Sequence, residues 1–446
     1  MPLMPRLHPL PVVLLCVCTV AGIHADDWPH WRGPLATGVS SESVLPTRWS
    51  ATENVAWKAP LAGLGISTPI VSGDRIYVTS QRGSGISRQG PRLVQGGDAS
   101  AMGERALGGG RAAGAAAART VFVIEAFARG DGKRLWERTV DADGDLTPTH
   151  EKHNLASPSP VTDGTLVFAL FGTGQVVALD RNGGVVWSRH LGRDYGPFDI
   201  QWGHGSSPVL YRDTLVLLCD HPSASYLVAL DTRTGKERWK VDRGKGRVSY
   251  STPLVVRGDA GDELIVNSSE RIDAYDPRTG APLWHTGADN RFPIPSPVFH
   301  DGVIYASRGY RSGPYMAIKA GGRGDVTASH VVWKIETGAP YVSSLLYYGG
   351  LVYMANDVGV LSGVDAATGQ RVWQQRVDGV FSASPVGGAG HVYFVSENGD
   401  TIVMKAGRKP EIVARNAIGE RALASPAFSN GRLFLRTDEH LIAVGK

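Results

Sequence analysis

Cysteine is scarce in this chain: three residues in 446, two of which, Cys16 and Cys18, fall within the first 25 positions. Beyond them Cys219 stands alone, so no intrachain disulfide and no cysteine-pair redox or zinc motif is available. A sustained 3.6-residue apolar period is also missing, which excludes a helical solenoid. Neither charge sign dominates: 46 basic and 42 acidic residues leave +4, and nothing in that balance points to nucleic acid. No Gly-x-Ser-x-Gly elbow and no phosphate loop occurs. The sequence therefore names no catalytic residue.

What is abundant is glycine, 56 residues, together with 11 tryptophans, and the two recur in step. "LVALDTRTGKERWKV" (227–241) reads as a strand, a tight turn and a returning strand. Asp231 can accept hydrogen bonds from the turn amides, Gly235 supplies a positive φ, and Trp239 stands on the returning strand. The order repeats at Asp276, Gly280 and Trp284, and at Asp365, Gly369 and Trp373. A shorter variant places Asp180 and Gly184 before Trp187, and a looser one ends at Gly132 and Trp136.

A second marker opens each unit: Ser or Thr, usually with Pro, entering an apolar strand near Ser67, Ser157, Ser206, Ser251, Ser296, Ser343, Ser382 and Ser425. Trp239 and Trp284 lie 45 residues apart, Trp333 and Trp373 lie 40 apart, and each interval holds four short strands. That is the period of a β-propeller blade. The last unit lacks its fourth strand, while "NVAWKAPL" (54–61), with Trp57, stands alone near the start. The spacing predicts an all-β, eight-bladed propeller of four-stranded antiparallel blades over 54–446, its ring closed by 54–61 pairing near Leu441. In the unit from Ser382, Val413 stands where the tryptophan is expected.

Residues 1–25 read as a cleavable signal peptide, with Arg6, the apolar run "LPVVLLCVCTVAG" and small Ala25. The run is short for a membrane span, and bulky residues before Cys16 and Cys18 argue against lipidation. Export to the periplasm or exterior is expected, with a leader segment (26–53) whose Trp28 and Trp31 are expected to be exposed. The stretch 82–119 is rich in Gly, Ala and Arg and cannot build a core, so it reads as a flexible insertion.

Repeats of the form Ala-x-Asp-x-x-Thr-Gly-x-x-x-Trp resemble the tryptophan-docking motif of the pyrroloquinoline-quinone (PQQ) propeller superfamily: "ALDTRTGKERW" and "AYDPRTGAPLW" match throughout, and "GVDAATGQRVW" departs at Gly363. "DDWPHWRGP" is similar to the start of PQQ-like proteins exported by many bacteria. The resemblance implies that each Trp packs between neighbouring blades. It implies no single function, because the superfamily holds quinone-dependent dehydrogenases and also scaffolds such as the outer-membrane assembly lipoprotein BamB. Dehydrogenases of this kind carry adjacent cysteines and long insertions around the cofactor. This chain has no adjacent cysteines and most of its blades are lean, so PQQ with calcium is disfavoured and no cofactor is expected.

Two polar stretches invite a metal reading. "THEKHN" (149–154) spaces His150 and His153 three apart rather than four, so a zincin helix fails, although His204 and His221 could approach a looser site. "DADGDL" (141–146) has Leu146 where a calcium loop wants Gly, and reads as an acidic surface loop. No metal is expected. The loops that precede the opening strands should emerge on one face around the channel. They carry His150, His153, Asn154, Tyr195, Phe198, Trp202, His204 and Arg291, the candidate binding face of a monomeric scaffold. Its partner would be a protein or small ligand not identified by the sequence, with peripheral membrane association open. The alternative is a PQQ-dependent oxidoreductase.

Overall fold

The computed structural model describes residues 27–83, 87–88, 119–144, 146–258, 261–287 and 289–446. The expected signal peptide, nearly all of the expected 82–119 insertion, and Asp145 of the acidic loop lie outside the described residues. Alternating apolar runs pair into eight antiparallel blades. Blade 1 comprises, from channel to rim, Ile70–Ser72, Arg75–Arg82, Val121–Ala128 and Arg134–Asp141. Blades 2 to 7 follow in chain order. Blade 8 joins Ala427–Ser429, Arg432–Arg436 and His440–Val444 to the early strand Val55–Pro60, with Ala59 opposite Leu441. Closure thus removes both free edges, as the sequence predicts.

The recurrent Ser or Thr has a mechanical reason. The backbone N–H of Thr68 donates to Ser159 Oγ (2.9 Å), that of Ser159 to Ser207 Oγ (2.9 Å), and that of Ser207 to Thr252 Oγ1 (3.0 Å). Thr252 continues to Ser296, Ser296 to Ser344, Ser344 to Ser384, and Ser384 to Ser425 at 2.9–3.0 Å. Thr68 Oγ1 then donates to the Ser425 carbonyl (3.1 Å) and closes the circle. All eight residues stand two positions before an innermost strand, so one hydroxyl per blade ties it to its neighbour without a sheet hydrogen bond.

At the rim the tryptophans do the same work with apolar surface. Gly235 holds φ +67°, and a Cβ there would meet the Trp187 indole at 2.7 Å; Trp187 Nε1 donates to Thr232 O (2.8 Å) in the same turn. Trp57, Trp136, Trp239 and Trp333 stack in this way on Gly132, Gly183, Gly280 and Gly369. Trp373 instead donates Nε1 to Gly407 O (3.1 Å). Asp231 Oδ1 accepts from the amides of Arg233 and Thr234, and Asp365 Oδ1 from those of Ala367 and Thr368, which fixes the turns.

Four details differ from the sequence reading. In the shorter variant Gly183, not Gly184, holds the positive φ, because Asp180 tightens the turn by one residue. Ala414, not Val413, stands in the tryptophan register opposite Val403, since a bulge absorbs Val413. Blade 4 gains a fifth strand, Gly324–Asp325, parallel to Pro282–Thr286; there Trp284 donates Nε1 to Glu263 (3.1 Å) and shares a core with Val326. Trp28 is buried (1% exposed) and Trp31 half-buried, rather than exposed.

That last difference reflects where the leader goes. Pairing direction sends the loops between fourth and first strands, and those between second and third, to one end of the ring, here the upper end. The Asp–Gly turns leave at the lower end. The leader enters the channel from below: Trp28 bridges Val71, Pro29 O accepts from Thr162 N, and Trp31 Nε1 reaches Ser296 Oγ (3.3 Å) in the hydroxyl circle. Buried Arg32 donates to the carbonyls of Leu345 (2.6 Å), Thr37 (3.0 Å) and Pro385 (3.1 Å). Among the described residues no carboxylate pairs with it, and burial pulls its guanidinium down to about 9.

Candidate functional site: the upper mouth of the channel

The upper mouth is built by loops from both sets. Trp202, Tyr250, Phe292 and Tyr341 come from four successive blade-to-blade loops, and Tyr310 from the loop inside blade 5. Each is half-buried. They form an arc: Tyr250 to Phe292, 6.5 Å between ring centres; Phe292 to Tyr310, 5.1 Å; Tyr310 to Tyr341, 5.6 Å. His150 adds an edge contact to Trp202 at 5.6 Å. Burial raises the Tyr250 and Tyr341 phenols above their ordinary value, so both stay neutral.

The arc ends on charge. Asp357 Oδ2 accepts from Tyr341 N (3.0 Å), and burial pushes its carboxyl up to about 6 against the favourable backbone bonds. Lys152 Nζ lies 2.7 Å from Glu397 Oε1, a contact between the loop entering blade 2 and a loop of blade 7. Ser382 Oγ donates to the same oxygen at 2.5 Å. His153 is pushed down to about 4 by burial; its Nε2 and the Tyr250 hydroxyl make no hydrogen bond, although they lie beside the backbone of Gly203 and Trp202.

Of the residues singled out in the sequence, His150, His153, Trp202 and Arg291 come to this end of the ring. Arg291 is exposed, with its guanidinium 5.4 Å from the Phe292 ring centre. Asn154 ties two loops together, its Nδ2 donating to Leu64 O (3.0 Å) and its Oδ1 accepting from the Ala156 amide (2.9 Å). Phe198 and His204 are buried between blades 2 and 3 and offer no contact surface, a correction to the expected face. Tyr195 turns to the rim, between Glu237 (2.5 Å) and Arg189 (3.1 Å), far from the channel. Lys152, Tyr250, Tyr310, Tyr341, Asp357 and Glu397 escaped the reading. Most of the chemistry lies in loops inside blades, or in blade-to-blade loops too plain to attract notice.

Among the described residues no third metal ligand joins the His204–His221 pair. His204 Nδ1 lies 3.0 Å from His221 Nε2, and their outer nitrogens donate to Ser206 O (3.0 Å) and Pro197 O (3.2 Å). Burial lowers both imidazoles. On blade 8, Glu420 and His440 converge with Glu439, but Glu420 is held by Lys58 and Thr437. Cys219 is buried in blade 3, its thiol pushed up to about 12.

Eight radial blades, indole-on-glycine docking and a channel mouth carrying the loops define a PQQ-like β-propeller. The family model described as outer membrane protein assembly factor BamB matches residues 120–357 and 357–445, and the chain belongs to that family. The tetrathionate hydrolase of Acidithiobacillus ferrooxidans is 25% identical over 364 residues, which cover 77% of this chain and 65% of that enzyme. The chain thus spans just under two thirds of that relative's length. Among solved structures, BamB from Moraxella catarrhalis superposes with TM-score 0.53 and 16% identity, over 73% of this chain and 88% of that one. Quinohemoprotein alcohol dehydrogenase from Comamonas testosteroni gives 0.65 and 13%, over 94% and 81%. These likenesses are of fold.

Proposed function

We propose that this chain is an exported, non-catalytic propeller that binds a protein or ligand at its upper mouth. The observation that carries the reading is the difference in occupancy of the two channel ends. The lower end is filled by the chain's own leader, whereas the upper end holds a continuous arc of half-buried aromatic rings. Rings of this kind contribute large contact area at little entropic cost, and Arg291 beside them is a residue type favoured at binding hot spots. Export rests on the character of residues 1–25.

The superposed dehydrogenase raises a quinone-dependent oxidoreductase as the second reading. What weighs against quinone with calcium is the cysteine count: Cys219, alone beyond residue 25, is sealed inside a blade, and no adjacent pair is present to lie against the group.

The test places a photo-crosslinking residue at position 202 or 291, or at exposed position 236 on the lower face, in the exporting cell. Capture from 202 and 291 but not 236 is expected. Trp202→Ala should weaken capture by about 2 kcal/mol, roughly thirtyfold in affinity. A folded Trp202→Ala chain that captures the same partner undiminished would place the working surface elsewhere.

A further inference from the structure

The ion pair at the mouth is oddly placed for a stabilising contact. Lys152 and Glu397 are 245 positions apart and belong to non-adjacent blades, and the lysine side chain is 34% exposed. A half-exposed pair of this kind contributes little to stability, since a long flexible side chain must be ordered to make it. The acceptor side is better organised than the donor. The Glu397 side chain is 13% exposed, receives Ser382 Oγ, and has its backbone anchored by Val380 O and Ala422 N. Asp357 and His150 lie within electrostatic reach of the same ammonium. Lys152 itself rides on a tight turn closed by His153 N to His150 O (2.9 Å). A preorganised carboxylate thus faces a cation that a loop presents to it.

Beyond Asp357 the aromatic arc begins at once, with Tyr341 tilted against Tyr310 and Tyr310 edge-on to Phe292. Carboxylates at one end and aromatic rings along the approach suit an ammonium on an apolar stem, because rings attract cations and cover methylenes. Resting on the reading of the mouth as the working surface, we propose that Lys152 is an internal stand-in, and that the mouth binds the primary ammonium of an incoming alkylamine at Glu397 and Asp357. No bond is made or broken. Lys152 leaves for solvent as the ligand's ammonium takes its place.

Two sources carry this chemistry, a free polyamine and a lysine side chain of a partner polypeptide. The probes are therefore 1,5-diaminopentane and an end-blocked Gly-Lys-Gly tripeptide, titrated separately by calorimetry. Lys152→Met keeps the stem and removes the competitor, and should tighten binding of at least one probe tenfold or more over the unmodified chain. Adding Glu397→Gln should return affinity to the starting level or below. Diaminopentane alone binding would identify a free amine, and tripeptide binding would identify a partner's lysine. A Lys152→Met chain that melts like the unmodified one and binds neither probe more tightly overturns the proposal, as does equal binding with and without Glu397→Gln. Should Lys152→Met melt early, Lys152→Gln replaces it, and the weak binding by the unmodified chain must still vanish in Glu397→Gln. Failure of these titrations alongside crosslinks from position 202 would sink the amine and leave the mouth as the binding face.

Discussion

The two ends of the channel are built from the same repeat and finished in opposite ways. Below, the leader fills the bore, and its largest groups are fully enclosed: Trp28 against Phe428, Arg32 against three carbonyls. Above, five aromatic rings stay half-exposed, and titratable groups are held away from their ordinary behaviour, His153 downward and Asp357 upward. Proton affinity is displaced at both ends, Arg32 below included, so it is the half-solvated rings that set the upper end apart. The lower end is therefore closed by the chain itself, and the upper end is the proposed binding face.

The sharpest way to break this contrast is at Trp28. Trp28→Ala should cost about 3–5 kcal/mol, the usual loss on emptying a buried aromatic site, read from a denaturant midpoint. A loss under about 1 kcal/mol would show the leader to be a dispensable passenger.

Acid should act next, and from the upper half. His150, His153, His204 and His221 are all lowered by burial, so the unfolded chain binds protons that the folded chain refuses. Their contribution is intact above about pH 6.5 and is lost as pH falls toward 4. For His153, lowered to about 4, the loss approaches about 3 kcal/mol once pH is below that value. Asp357 works the other way, because its raised carboxyl favours the folded state in acid, and offsets part of the fall. Midpoints measured from pH 7.5 to 4 should decline, and His153→Phe should flatten the slope.

The smallest expected effect is also informative. Arg291→Ala, exposed at the upper end, should shift stability by less than about 0.5 kcal/mol while reducing capture. A large destabilisation there would erase the distinction between the ends.

Legibility in the sequence followed locality. Hairpins carry their instructions within fifteen residues, so Asp231, Gly235 and Trp239 announce a blade, and Trp57 without a partner announces the closing strand. The missing tryptophan of blade 7 has a physical cause that only the ring reveals. An indole at Ala414 would need a hairpin turn on blade 8. There the third and fourth strands, His440–Val444 and Val55–Pro60, are joined by no turn. The leader serves instead: Trp49 shares the core of Ala414, and its amide is held by Asn416 Oδ1 (3.0 Å). Trp28 was misread because nothing periodic in the leader says that it enters a channel. The mouth was half legible, since the rule for blade-to-blade loops found Trp202 and Arg291. The loops inside blades, which bring Tyr310, Asp357 and Glu397 to the same end, are too short to stand out in a single sequence.

Closure by an early strand also sets a clock. Val55 and His440 stand about 385 positions apart. At synthesis rates of roughly 5–20 residues per second, the first strand waits about 20–80 s for its partner to be made. Throughout that interval Val55–Pro60 has an unmatched edge, and blade 8 does not exist. Its alternating residues suit the wait, with Lys58 and the prolines at 46 and 60 discouraging pairing with a wrong neighbour. The blades emerge in chain order, and the ring can close only when the final strand arrives.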